Sequence, residues 1–414
     1  MLFVAAIPEE VYFNLADIRP SKESDMKTKE ITVVFLLSLL LYACKSPKQP
    51  GLGEPLAGLA PQQKAQFAEG RKVFQRVFTP EDGLGPLFNA NSCAQCHETP
   101  VVGGVGDEIE VHATRFIPPD TCDSLFQEGG NVIQQQATPL LQAKGIQKEQ
   151  IPPHATAQAR RSTPPLFGFG LVDAISEATI LSHERRSGSK GDGIAGHANR
   201  TIDGRVGRFG RKAAVAALFD FNAGAFPLEM GVTTPLSPLE ETINGIPVPP
   251  DTDPAPDPEI AVADIDNVTA FVRFLAPPPG QTFTNHLDRH LARRGRELFA
   301  NLKCAACHIP KMKTGPSDIN ALNRKTVALY SDLLVHDMGP ALADICLGGA
   351  HPSEFRTEML MGLRFQEQFL HDGSAKTVSE AIERHGGEAQ RSADRFKGLS
   401  DADKKALLKF LDTI

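Results

Sequence analysis

Apolar positions recur at helical spacing in four stretches of the chain. Phe67, Val73, Phe74 and Val77 form one stripe, and Leu287, Leu291 and Leu298 form another. Each predicts a helix that runs toward a Cys-x-x-Cys-His pentapeptide. Val262 to Leu275 is amphipathic and predicts a third helix, which Pro277-Pro278-Pro279 must stop. The last opens at Ser400, a suitable N-cap, with acids in its first turn. It sets Leu407, Leu408, Phe410 and Leu411 on one face. No stretch shows sustained strand alternation, so the pattern predicts a mainly α fold.

The two pentapeptides stand in matching surroundings. Gly70-Arg71-Lys72-Val73-Phe74 precedes the first and Gly295-Arg296-Glu297-Leu298-Phe299 the second. Downstream, Thr163-Pro-Pro-Leu166-Phe-Gly168 is echoed by Thr357-Glu-Met-Leu360-Met-Gly362, and Ser176-Glu177-Ala178 by Ser379-Glu380-Ala381. Echoes in the same order predict a duplicated domain, 61–234 and 261–414. Between them, Pro235 to Pro258 carries eight prolines and five acids, and 235–260 reads as a surface excursion or linker.

Cys93-Ala-Gln-Cys96-His97 and Cys304-Ala-Ala-Cys307-His308 carry the chemistry. Two thiols at this spacing reach the vinyl groups of one haem, and the adjoining histidine lands beneath the iron. A zinc site would need both Cys-x-x-Cys pairs close in space, and a redox Cys-x-x-Cys gives no reason for the histidine. Two covalently bound c-type haems are the expected cofactors, with His97 and His308 as proximal ligands.

The N-terminus agrees with that expectation. Met26-Lys-Thr-Lys-Glu starts a basic stretch, Ile31 to Leu41 is almost wholly apolar, and Leu41-Tyr42-Ala43-Cys44 follows. This resembles a bacterial lipoprotein signal with its true start at Met26, a leader over 1–43, an acylated Cys44 and a tether over 44–60. The apolar run is too short to span a bilayer. The expected address is the periplasm, lipid-anchored to the outer membrane. Cys122 and Cys346 remain, either paired or as two buried thiols. A formal net charge of −7 argues against nucleic acid. There is no Trp, and past the leader Tyr330 is the only Tyr. An electron relay through an oxidisable aromatic would have to use it.

With the duplicated haem units in hand, the chain resembles the bacterial di-haem cytochrome c peroxidase and MauG superfamily, in its di-haem oxidoreductase (thiol oxidoreductase-like) branch. The resemblance rests on Gly83-Leu-Gly-Pro-Leu-Phe-Asn-Ala-Asn-Ser-Cys93, Arg161-Ser-Thr-Pro-Pro-Leu-Phe-Gly168 and Gly207-Arg-Phe-Gly-Arg-Lys212. In the second half it rests on Phe274-Leu-Ala-Pro277, His336-Asp-Met-Gly339 and Leu370-His-Asp-Gly373 through His385. It implies two cytochrome c-like domains, each with one haem: a peroxide-reactive N-terminal one and an electron-transfer C-terminal one.

The sixth ligand decides what each iron does. The resemblance places the second haem's distal ligand at His385, where relatives commonly carry Met; Met338 is the rival, with a core methionine as its plain reading. At the first haem, His112 stands near the place of a displaceable distal histidine, and His183 is a weaker candidate. Glu229, in Pro227-Leu-Glu229-Met230-Gly231, matches a carboxylate that lines the peroxide pocket and moves its proton. A helix-end glutamate facing water is the alternative. Arg161 is expected to steady propionates or developing charge, or else to form a surface ion pair. Departures are the missing interhaem Trp and a His at 385, where the MauG enzymes carry Tyr. Lys190-Gly-Asp192-Gly-Ile-Ala-Gly196 resembles a loop that could hold Ca2+, though one acid reads more simply as a turn.

The expected function is a di-haem oxidoreductase that reduces hydrogen peroxide, or another small oxidant, with electrons from a periplasmic donor such as a small cytochrome or cupredoxin-like protein. The alternatives are a non-catalytic di-haem electron carrier and an oxidase of a protein or small molecule.

Overall fold

The computed structural model describes residues 49–184 and 193–414. The leader, Met26, Cys44 and Asp192 lie outside them. Helix makes up 33% of the structure and strand 15%, which corrects the expectation of a mainly α pair of cytochrome c-like domains. Residues 49–414 form a single compact unit. Its largest core joins Phe67, Phe74 and Phe271 with Met312, Leu329, Leu334 and Met359 from the second half.

The strand content centres on Ile109–Ile117. Ala157–Ser162 runs antiparallel along it, from Ile109↔Ser162 to Thr114↔Ala157. Val132–Ile133 pairs at Val111 and His112, and Thr121–Asp123 at Arg115 to Ile117. Period two is present, with Ile109, Val111 and Ala113 alternating with Glu110, His112 and Thr114. Both faces are covered, so the polar face does not look like a solvent face. The partner, Ala-Gln-Ala-Arg-Arg-Ser, is poor in the branched and aromatic residues that mark strands.

The predicted helices form at Pro61–Phe74, Val262–Phe274, His286–Asn301 and Asp401–Leu411. Ser400 Oγ accepts from the Asp403 N–H, the expected cap. Two equivalent pairs result, Pro61–Phe74 on Val262–Phe274 and His286–Asn301 on Asp401–Leu411. Both depend on a glycine. A Cβ on Gly70 would lie 1.9 Å from the Asn267 carbonyl oxygen, and one on Gly295 2.0 Å from that of Ala406. Only glycine lets the backbones come this close. Phe74 then meets the Phe271 ring at 4.9 Å, as Phe299 meets that of Phe410 at 5.4 Å. Val77 and Leu287 end exposed, so each stripe is shorter than its sequence spacing implies. Gly168 and Gly362 repeat one backbone state, at φ +76° and +77°.

The proline-rich segment is docked. Its hairpin Thr242–Ile243/Ile246–Pro247 leads to Val248, which packs with Leu87, Ala137 and Leu141. Cys122 and Cys346 form a disulfide across 224 residues of chain, with Cα atoms 5.8 Å apart.

Candidate functional site

The first pentapeptide is a single helical turn, Cys93–Cys96. Ser92 Oγ caps it by accepting from the Gln95 N–H at 3.1 Å, and Gln95 Oε1 accepts from the Asn91 N–H. His97 turns its Nδ1 to the Gly104 carbonyl at 3.1 Å. A carbonyl can only accept, so Nδ1 carries the proton and Nε2 keeps its lone pair. Removal from water lowers the His97 pKa, against the Gly104 carbonyl, Glu110 and the Pro164 carbonyl. Burial pushes the Cys93 thiol up to about 12 and also raises that of Cys96.

Glu229 arrives at the end of helix Leu218–Met230. Its own carbonyl accepts from the Asn89 and Ala90 N–H groups, and its Oε2 from Asn89 Nδ2 at 3.2 Å. It lies near enough to raise the pKa of both Cys93 and Cys96. Desolvation, then the charge of Glu110, holds the Glu229 carboxyl well above its ordinary range. Glu110 goes the other way. Burial pushes it up, but the hydrogen bond and charge of His112, with His97 and Arg161 behind, outweigh that and lower it. His112 Nε2 meets Glu110 Oε2 at 3.0 Å, while His112 Nδ1 is buried without a partner.

Glu110 and Asn89 were not read from the sequence. Glu110 sits two residues before His112 on the central strand, so recognising that strand would have put both on one face. Arg161 lies opposite Glu110 in the strand register, but its guanidinium pairs with Asp344 in an almost fully buried bridge. Lys212 Nζ reaches the same carboxylate at 3.2 Å, and His371 Nε2 at 3.3 Å. Arg161 is thus no surface ion pair.

The second pentapeptide starts a 3-10 turn, Cys304–Ala306, behind Lys303 at φ +69°. His308 Nδ1 donates to the Tyr330 carbonyl at 2.9 Å, and His385 Nδ1 to the Ala381 carbonyl at 2.7 Å. Both imidazoles keep a free Nε2. Burial, then the nearby His385, pulls His308 down to about 4. Burial likewise lowers His385 and pushes Cys304 up to about 12. Cys304, Cys307, His308, His385 and Met338 line one slot whose remaining walls are mostly apolar, among them Phe299, Leu360, Leu407 and Leu411. Its cavity volume is about 210 Å3. Rival candidates His385 and Met338 therefore both reach this site. Tyr330 packs edge-on to Phe299 beside it, at 6.0 Å.

Beside the slot, His336 is clamped between Asp332 at 2.9 Å and Glu388 at 2.7 Å, with Cys307 Sγ at 3.7 Å. Burial alone would lower its pKa, but these neighbours raise it well above the ordinary value. A free Nε2 on each motif histidine and a largely apolar slot at the second motif suit a covalently held haem.

A protein-family model described as "Di-haem oxidoreductase, putative peroxidase" matches residues 148–414. No curated protein matches the chain. Among solved structures, the chain is similar to a hydrazine synthase from Kuenenia stuttgartiensis, with 13% identity over 90% of this chain and 97% of that one, at a TM-score of 0.36. A MauG-like protein associated with microbial copper homeostasis shares 16% identity over 89% and 94%, at 0.38. The diheme peroxidase BthA from Burkholderia thailandensis E264 shares 16% over 84% and 85%, also at 0.38.

Proposed function

The chain belongs to the di-haem oxidoreductase family, an enzyme family whose cofactors are haems, and on that premise we propose that it reduces hydrogen peroxide at the Cys93/Cys96/His97 motif. Electrons would enter at Cys304/Cys307/His308 from a periplasmic donor. Haem, when covalently bound at each motif, supplies the redox chemistry.

One observation carries the division of labour. The second motif faces two imidazoles with Nε2 free, His308 and His385, whereas at the first, among the described residues, His97 keeps a free Nε2 and His112 spends its Nε2 on Glu110. Two such ligands suit an electron carrier; one leaves a face for substrate. Met338 stands in reserve at the second motif.

Around the first motif the chain supplies proton chemistry. His112 lowers the Glu110 pKa and desolvation raises that of Glu229, and a pair driven apart in this way divides into base and acid. Glu110, with His112, accepts a proton from the incoming peroxide. Glu229 donates one to the departing oxygen, and Asn89 keeps its carboxyl in place. The leader is proposed to tether the enzyme to the outer membrane through an acylated Cys44, which Cys44→Ala should release into the soluble fraction. The Asp192 loop, the candidate for calcium, lies outside the described residues.

The test is optical and EPR spectroscopy of the half-reduced holoprotein with a small excess of peroxide. A high-spin haem that rapidly surrenders its electrons is expected. Two low-spin haems unmoved by peroxide would leave an electron carrier instead.

A further inference from the structure

Tyr330 is the only tyrosine or tryptophan among the described residues. Its backbone holds the second motif from both sides of one peptide unit. The Tyr330 carbonyl accepts from His308 Nδ1 at 2.9 Å, and the Ser331 N–H of the same unit donates to the Ile309 carbonyl at 3.1 Å. The proximal imidazole and the residue after it are therefore tied to one rigid plane. Ser331 Oγ fixes the turn beyond, donating to the Thr357 carbonyl at 2.6 Å and accepting from the Leu333 N–H at 3.0 Å.

The first motif makes the equivalent bond with a residue that has no side chain. There the Gly104 carbonyl accepts from His97 Nδ1 at 3.1 Å. A carbonyl is all that the imidazole needs, and glycine supplies one. At the second motif the same position carries an aromatic ring in the left-handed region, at φ +52°, where glycine would sit without strain. Sterics favour glycine here, so the ring is kept for something other than the hydrogen bond.

The ring is placed to pass an electron. It meets Phe299 edge-on at 6.0 Å and Phe410 at 6.2 Å, and Phe299 lies 6.5 Å from the His308 ring. Phe299 and His308 both line the slot of the second motif. One hydrogen bond and its own Cα–Cβ thus join the phenol to the proximal ligand, with the Phe299 ring alongside. The neighbouring phenylalanines resist oxidation, so Tyr330 is the aromatic in this group that can give up an electron. It is partly exposed, and its hydroxyl has no protein partner among the described residues and is not buried. The phenolic proton therefore has a way out to water.

We propose that Tyr330 is a redox-active residue, which gives one electron to the second haem site through His308 when peroxide arrives and no donor is bound. The inference rests on the peroxide reading above. Reduction of hydrogen peroxide to two waters takes two electrons and two protons. The half-reduced protein holds one of those electrons at the second motif, where the iron goes from ferrous to ferric. Tyr330 supplies the other: its phenolic O–H breaks, the proton passes to water, and a neutral tyrosyl radical remains. The phenol is restored when a donor returns one electron and water returns one proton.

The experiment mixes half-reduced holoprotein with one equivalent of hydrogen peroxide, without donor, and freezes it for EPR while peroxide consumption is followed in parallel. The parent should consume the peroxide and show a tyrosyl radical. Ring-deuterated tyrosine built into the parent should narrow that signal, a readout that needs no variant. Tyr330→Phe leaves the ring and the carbonyl in place, so it should keep the haem spectrum and lose the radical. A radical that persists in Tyr330→Phe, or that deuteration leaves unchanged, would overturn the proposal, as would peroxide consumed with no radical formed. Peroxide left unconsumed by the parent would instead sink the peroxidase reading, and the tyrosine's part with it.

Discussion

Glu229 and Glu110 show how two identical side chains acquire opposite pKa shifts. Desolvation dominates at Glu229, whereas His112 reverses it at Glu110. Glu229→Gln should lower peroxide turnover by about 10²–10⁴-fold, the usual worth of a positioned acid. In the parent, turnover should fall as pH rises through the elevated Glu229 pKa, because the donor loses its proton, and the glutamine variant should lack that limb. A rate–pH profile of both proteins decides the matter. A variant as fast as the parent would remove Glu229 from the chemistry. At the other motif, His385→Ala should convert a low-spin haem to high spin, read by EPR. An unchanged spectrum would point to Met338.

Glycine governs the helix pairs. Gly295→Ala would drive a methyl into the Ala406 carbonyl, so helices His286–Asn301 and Asp401–Leu411 must separate. Overpacking of this kind typically costs about 1–3 kcal/mol. Phe299 would shift with its helix, and its ring lies 6.5 Å from that of His308. Urea unfolding should show the loss, and the haem spectrum of the second motif should broaden. Gly70→Ala should do the same at the first, where Phe74 lies 6.1 Å from His97. The helices themselves were legible because one face of each is apolar and the other wet. The central strand was not, because its polar face of Glu110, His112 and Thr114 is covered rather than wet, and its partner Ala157–Ser162 is poor in branched and aromatic residues.

Across the whole molecule, two devices tie early sequence to late. The Cys122–Cys346 disulfide closes a loop of 224 residues, and removing a bridge over so long a loop costs roughly 3–5 kcal/mol. Cys122→Ala/Cys346→Ala should lower the urea midpoint accordingly, with the haem spectra kept. The second device is ionic. Arg356 and Arg211 overcome the effect of burial and hold Glu358 down at about 2. Such a group stabilises fully above its unfolded pKa, and that stability is lost as pH falls through the folded one. Acid unfolding between pH 4.5 and 2 should therefore shallow in Glu358→Gln, by on the order of 1–3 kcal/mol.

Adjacency along the chain determined the haem motifs, the duplicated Gly-Arg helices and the Ser400 cap, because each acts over a few residues and needs only its own spacing. Pairing across the chain belonged to the tertiary structure. It joined Cys122 to Cys346, where the sequence left both pairing and free thiols open. It buried Arg161 on Asp344, 183 residues away, and set Glu110 beside Glu229. These outcomes turn on which side chains are withdrawn from water together, and a linear pattern does not record distance or desolvation.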